Sequence, residues 1–239
     1  MVLETELNDK PNPLTVIAGD RHEHAPHTTI DDQLESILSW AQGKFGDNEF
    51  IEAKEEFFRN SGKVFYDDSF YEQRMGYFLD YFLLERPIAT NVTQTPFSEY
   101  MLQPQARPWS SKDDSLRKFC HSLFQVLKSH DDYLLVLDLV NNQKIKVITR
   151  KNECFTAIER KDLLQGYLYK SEDNYYLSHG LIFHPAKLSR FIKKEIKKAK
   201  NVSDFNQLKF LLDLAKQNLK YLRHIHVDPK RIYAELFSA

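Results

Sequence analysis

The apolar residues of this chain change their period twice, and that order limits the fold more than any other feature. Ile30, Leu34, Ile37, Leu38 and Ala41 recur three and four residues apart, which marks one buried face of a helix. From about Ser122 the pattern becomes short runs rich in β-branched and aromatic residues, at 123–127, 133–140, 144–149, 163–169 and 175–183. Turn signals separate them at His130-Asp131-Asp132, Asn141-Asn142 and Glu172-Asp173-Asn174. After Pro185 helical spacing returns, first through Leu188, Phe191, Ile192, Ile196 and Ala199. It continues through Leu208, Leu211, Leu212, Ala215, Leu219 and Leu222. Helices, then strands, then helices predict an α+β fold and argue against a doubly wound α/β sheet. Loops this short favour antiparallel pairing, so the middle reads as a small antiparallel sheet or SH3-like barrel.

Four regions follow. Residues 1–28 hold Pro11, Pro13 and Pro26 with little apolar periodicity, and read as a disordered or loosely packed arm. Residues 29–121 are helical, 122–184 form the small sheet or barrel, and 185–239 are a basic helical region. Thr29 is the expected N-cap of the first helix. A second helix runs over 47–59, with Phe50, Ala53, Phe57 and Phe58 on one side, and ends at Asn60-Ser61-Gly62. A third begins at Ser69, which has capping-box spacing to Glu72, and stops before Pro87. Ten aromatic residues lie between Phe57 and Phe82, which predicts an aromatic helical core, with a ligand pocket as the alternative. Thr95-Pro96 opens a short helix, and another is expected from Ser111, taking in Leu116, Phe119 and Cys120. Ser203 or Asp204 caps the helix holding Leu208 to Leu222, and Asp228-Pro229 opens a last one reaching Phe237.

The formal net charge of −1 conceals a gradient. Residues 1–100 carry 8 Lys and Arg against 19 Asp and Glu, whereas residues 181–239 carry 13 against 5. Either the two ends meet, or the basic end meets an anionic partner, or both faces are simply solvated.

Most signatures of chemistry are missing. The 7 glycines make no phosphate-cradling loop, and the serine nucleophile elbow is also absent. The 2 cysteines, Cys120 and Cys154, form neither a disulfide framework nor a zinc pattern. His22, His24 and His27 could converge on an ion, at the entropic cost of ordering the arm. His121, His130, His179 and His184 flank the strands without motif spacing. A metal-dependent nuclease would need a carboxylate two residues before a strand lysine. Asn142 stands there before Lys144, and Lys144 before Lys146, so Asp138 reads as a strand-end turn residue. In the third helix Arg74 and Glu85 edge the apolar stripe and Asp80 lies opposite its centre; buried, each would need a partner. No enzyme class, metal or cofactor is nominated. No apolar run approaches the roughly 20 residues of a membrane helix, and the acidic N-terminus is not a secretory signal, so a soluble cytoplasmic protein is expected.

The strongest functional lead is one basic stretch. Lys187, Arg190, Lys193, Lys194, Lys197, Lys198 and Lys200 stand against Glu195 alone, on a helix whose apolar stripe faces the fold. Cations so arranged can bind phosphates without reading bases, an anionic membrane surface or an acidic protein, or merely keep the chain soluble. Lys220, Arg223, Lys230 and Arg231 are candidates to extend the patch. The leading expectation is a non-enzymatic interaction or regulatory protein with a protein partner. Sequence-independent nucleic-acid binding through 187–200 is the alternative, and an enzyme site at the helix–barrel junction is the third reading.

Phe78-Leu79-Asp80-Tyr81-Phe82, Glu85-Arg86-Pro87 and Thr95-Pro96-Phe97-Ser98-Glu99-Tyr100 give residues 50–185 a resemblance to uncharacterised bacterial proteins. Those have a helical segment followed by a small β region, and some carry a C-terminal zinc knuckle of the SEC-C type. This chain lacks the knuckle cysteines and ends in basic helices. The resemblance implies a bacterial cytoplasmic protein and transfers no activity and no catalytic residue.

Overall fold

The computed structural model describes residues 14–16, 30–89, 91–103, 116, 118–149, 153–155, 157–171, 174–201 and 204–237. The fold is α+β, with a helical N-terminal part, a closed five-stranded barrel and C-terminal helices. Within the predicted arm, β1 (Leu14–Val16) pairs antiparallel with β5 (Glu153–Phe155), so at least these three residues are held in a strand. Thr29 and the His22, His24, His27 group lie outside the described residues.

The first two predicted helices join as α1 (Ile30–Ser61), which bends at Gly46, where φ is 75° and ψ 174°. An L-residue is strained at such a φ, so glycine sets the bend. The next helix, α2 (Tyr71–Leu84), starts later than the capping box implies. Its N-cap is Phe70, without a side-chain cap. Asp68 organises the preceding turn instead, accepting from the Phe65 N–H at 2.8 Å and pairing with Arg223. Before α3 (Pro96–Tyr100) the predicted cap is made, with Thr95 and Ser98 closing a reciprocal pair. Phe50 and Phe57 of α1 meet Tyr77, Phe78, Tyr81 and Phe82 of α2, mostly edge to face. Arg86 ties the end of α2 to Glu49 and Glu56 of α1.

Phe119 and Cys120, expected on a helix, open a strand. β2 (Phe119–Ser129) begins three residues before the predicted boundary, because its register with β6 (Leu163–Ser171) runs from Phe119↔Tyr169 to Gln125↔Leu163. Residues 111–115, where that helix was to start, lie outside the description. The other half of β2 pairs with β3 (Tyr133–Asp138), with a register shift between Val126 and Lys128 that bends the strand. β3 pairs with β4 (Gln143–Ile148) through the Asn141-Asn142 turn. A parallel bridge, Val147↔Tyr175, leads to β7 (Asn174–Leu177), and β7 returns to β6, closing the ring. The run expected over 175–183 is broken at Ser178–Leu181, after which β8 (Ile182–His184) extends the same edge of β6.

Alternation explains why β6 is buried from Leu163 to Tyr169. Leu164 and Leu168 fill the barrel with Phe124, Val126, Leu134, Val136 and Val147. Tyr167 and Tyr169 point the other way, into the aromatic core of α1 and α2. Leu163 joins a third core with Leu123 and the C-terminal helices. β3 and β4, covered on one face, keep an in–out burial pattern.

A single 3-10 turn at 186–188 leads into α4 (Ser189–Ala199), and Leu188 of the turn is buried with Ile192 and Ile196 of the helix, as the spacing predicts. α5 (Gln207–Arg223) is capped by Asn206, not by Ser203 or Asp204. Its side chain accepts from the Lys209 N–H at 2.9 Å. α5 packs on α1, so the acidic and basic ends of the chain meet. Asp228 caps α6 (Pro229–Ala234), and a 3-10 turn continues to Phe237. Among the described residues no helix is long and apolar enough to cross a membrane.

Candidate functional site

The seven predicted cations separate into two groups. Lys193 donates to Gln125 Oε1 at 2.6 Å, Lys198 pairs with Glu195 at 2.8 Å, and Lys200 donates to the Val140 carbonyl at 2.6 Å. These three are spent on fixing α4 to the barrel and to itself. Lys187, Arg190, Lys194 and Lys197 are exposed and enter no ion pair among the described residues. Three of them line a shallow cleft between α4 and the start of α6, where Lys230 joins them, its ammonium 6.0 Å from the centre of the Phe191 ring. The carboxylates in the cleft already have work. Glu195 holds Lys198, and Asp228 caps α6 through the Lys230 N–H at 3.0 Å. Lys220 and Arg223 do not extend this surface, because they pair with Glu235 and Asp68.

At the junction of helices and barrel, buried polar side chains form one chain of hydrogen bonds. Gln165 Nε2 donates to the Leu211 carbonyl at 2.8 Å and to the Tyr77 hydroxyl at 2.7 Å. Tyr77 in turn gives its hydrogen to His121 Nε2 at 2.6 Å, and His121 Nδ1 donates to Glu85 at 2.7 Å. The Tyr167 hydroxyl also donates to Glu85, and its ring stacks on His121 with centroids 4.0 Å apart. Burial raises the Glu85 carboxyl, but His121 and Tyr167 more than reverse this and leave it below its ordinary value. A carboxylate that orients an imidazole is the arrangement of a general base. Here, however, Tyr77 is fully buried and His121 is 4% exposed, so no substrate reaches the far nitrogen. The relay joins α2 to β2 and β6.

The remaining residues flagged from sequence are placed individually. Arg74, 2% exposed, has no carboxylate in contact among the described residues. It donates to Asn218 Oδ1 at 2.7 Å and to the Ala215 carbonyl at 3.0 Å, and burial lowers it to about 10. Strand alternation sends Cys120 away from His121 and toward Asp138, 3.5 Å away, and burial followed by that carboxylate pushes its thiol up to about 12. Such a thiol is no nucleophile at neutral pH. Asp138 ends β3 as expected, accepting from the Val140 and Asn141 N–H groups at 2.9 Å. His121, His130, His179 and His184 do not converge, and no group of metal-ligating side chains occurs among the described residues. The side chain of Cys154 lies outside the description.

An apolar cavity of about 240 Å³ lies between α1, α2 and the loop joining β7 to β8. Asp80, which the helical wheel set opposite the apolar stripe, is only 5% exposed and forms part of its floor. It accepts hydrogen bonds from the Tyr169 and Ser178 hydroxyls. A sequence signal for this existed in Gly76, one turn before Asp80. A Cβ on Gly76 would stand 3.1 Å from Gly180 Cα, so the pair marks where backbone meets helix.

The cleft and the cavity define a chain with two concave surfaces of opposite charge and a closed polar junction. Searches among protein-family models, curated proteins and solved structures find no match to it.

Proposed function

We propose that this chain is a non-enzymatic binding protein that takes an acidic segment of a protein partner into the α4–α6 cleft. One observation carries the reading: Lys187, Arg190, Lys194 and Lys230 share a concave surface without ion pairs of their own, among the described residues. Cations held near one another repel, and an anionic partner removes that repulsion while gaining several charge-assisted contacts. The half-buried Phe191 between them supplies apolar contact, which suits a peptide with mixed acidic and apolar side chains.

Sequence-independent nucleic-acid binding is the second reading, favoured by Lys197, which stands exposed beyond the cleft on α4. Against it, Lys220 and Arg223 are already paired with Glu235 and Asp68, so fewer phosphates would be neutralised. Fluorescence anisotropy with a labelled Asp/Glu-rich peptide, labelled duplex DNA and labelled single-stranded RNA separates the two. At about 50 mM salt the peptide binds more tightly than either nucleic acid, and its affinity falls at about 200 mM as charges are screened. Tighter binding of nucleic acid at both salts overturns the order, and no binding of any probe at 50 mM removes the cleft as a binding site.

A further inference from the structure

The cavity over Asp80 is built from other elements than the cationic cleft, and its chemistry has the opposite sign. Its walls are Leu34 and Leu38 of α1 and Leu79 and Leu83 of α2. Its titratable groups are Asp31 and Glu35 at the mouth, Asp80 at the floor, and His179, which stands 3.4 Å from Asp31. Among the described residues no lysine and no arginine lines it.

Asp80 is the unusual member. A buried carboxylate is normally matched by a cation, yet the contacts of Asp80 are two neutral hydroxyls. Both already point their hydrogens at it, and the Ser178 oxygen is further occupied by the Gly180 N–H at 2.8 Å. An ionised carboxylate offers about four lone-pair positions, so acceptor capacity remains, and among the described residues no third group donates to Asp80. Burial lifts the Asp80 carboxyl to about 6, against the hydrogen bonds from Ser178 and Tyr169 and the smaller influence of His121 and His179, so at pH 7.5 it is largely ionised and has no ion pair among the described residues. Whatever occupies the cavity must therefore present an apolar body and a donating, positively charged head.

We infer that the cavity is a binding site for a small hydrophobic amine, its ammonium directed to Asp80 and its hydrocarbon packed among Leu34, Leu38, Leu79 and Leu83. The volume equals about eight water molecules at roughly 30 Å³ each, which limits the ligand to a comparably small molecule. The Asp31–His179 pair and Glu35 sit at the mouth and disfavour anions of the same shape.

The test uses n-heptylamine, with n-heptanol and heptanoate as neutral and anionic counterparts, in isothermal titration of the full chain at pH 7.5. The amine binds at least about tenfold more tightly than the alcohol, and heptanoate does not bind; that tenfold is the 1.4 kcal/mol of one charge-assisted contact. Asp80→Asn brings the amine to the affinity of the alcohol. Leu38→Trp, which fills the cavity from α1 without touching Asp80, abolishes binding of both and guards against a folding defect in the Asp80 variant. Equal affinity for heptanol and heptylamine overturns the inference. So does absence of amine binding, or amine binding that survives Leu38→Trp.

Discussion

Gln165 fixes the protonation pattern of His184. Its amide oxygen lies 2.9 Å from His184 Nε2, while its amide nitrogen is committed to the Leu211 carbonyl and to Tyr77. A backbone carbonyl only accepts, so the amide cannot flip, and Nε2 must carry the hydrogen. His184 Nδ1 is then left to accept from the Tyr233 hydroxyl at 2.8 Å. Burial first, and the charge of Arg74 second, lower the imidazole to about 3, consistent with a neutral ring. Through this one amide the helical core, the barrel and the C-terminal helices share a single set of hydrogen bonds.

Replacing Gln165 by Leu therefore strands partners on three elements at once. At about 1–3 kcal/mol for each buried group left unpaired, the loss is expected to reach about 3–5 kcal/mol in urea unfolding. Gln125→Leu, at the surface of the same barrel, removes only the contacts to Lys193 and Ser189 and is expected to cost about 1 kcal/mol. Equal losses in the two variants would show that the junction is not a shared network.

Gly180 lies against α2 so closely that a Cβ there would be 2.2 Å from the Tyr77 nitrogen. The atom in the way is backbone, so Gly180→Ala is expected to destabilise by at least about 3 kcal/mol or to prevent folding. Gly43 in α1 meets nothing within 4 Å, and Gly43→Ala is expected to gain about 0.5–1 kcal/mol. Thermal unfolding of both variants reads the contrast.

Two buried groups titrate in opposite directions. Asp80 is raised to about 6, so the stability it gives in its protonated form is complete below its ordinary value of 3.8 and is lost as pH rises through about 6. His184 is lowered to about 3. Its contribution is complete above its ordinary value of 6.5 and is lost as pH falls toward about 3. Between pH 4 and 6 the two slopes, each about 1.4 kcal/mol per unit, oppose each other. Relative to wild type, Asp80→Asn should thus gain stability as pH rises across that window, and His184→Gln should lose it. Urea titrations at pH 4, 5 and 6 measure both; parallel curves for either variant would contradict the assignment.

The residues announce the architecture through period alone, and α4 with the turn before it shows why: Leu188, Ile192 and Ile196 point inward as their spacing requires. Where reading failed, a distant partner decided. Phe119 and Cys120 suit a helix locally, but seven residues of register with β6 make them strand. Asp80 falls opposite the apolar stripe of α2, and only the β7–β8 loop, distant in the sequence, shows that this side is covered as well and that a hydroxyl there partners the carboxylate. Nor does the run of lysines reveal which are available. Gln125 and the Val140 carbonyl, which engage Lys193 and Lys200, come from the barrel more than fifty residues earlier in the sequence.

That division among the cations gives the most direct test of the proposed function. Anisotropy of a labelled Asp/Glu-rich peptide at about 50 mM salt is compared between two sets of alanine substitutions, with circular dichroism to verify folding. Removing Lys187, Arg190, Lys194 and Lys230 together is expected to abolish binding and its salt dependence. Removing Lys193, Lys198 and Lys200 should leave the affinity within about threefold, because these ammonium groups already have partners. Equal losses from the two sets, or full binding without the cleft cations, would contradict it.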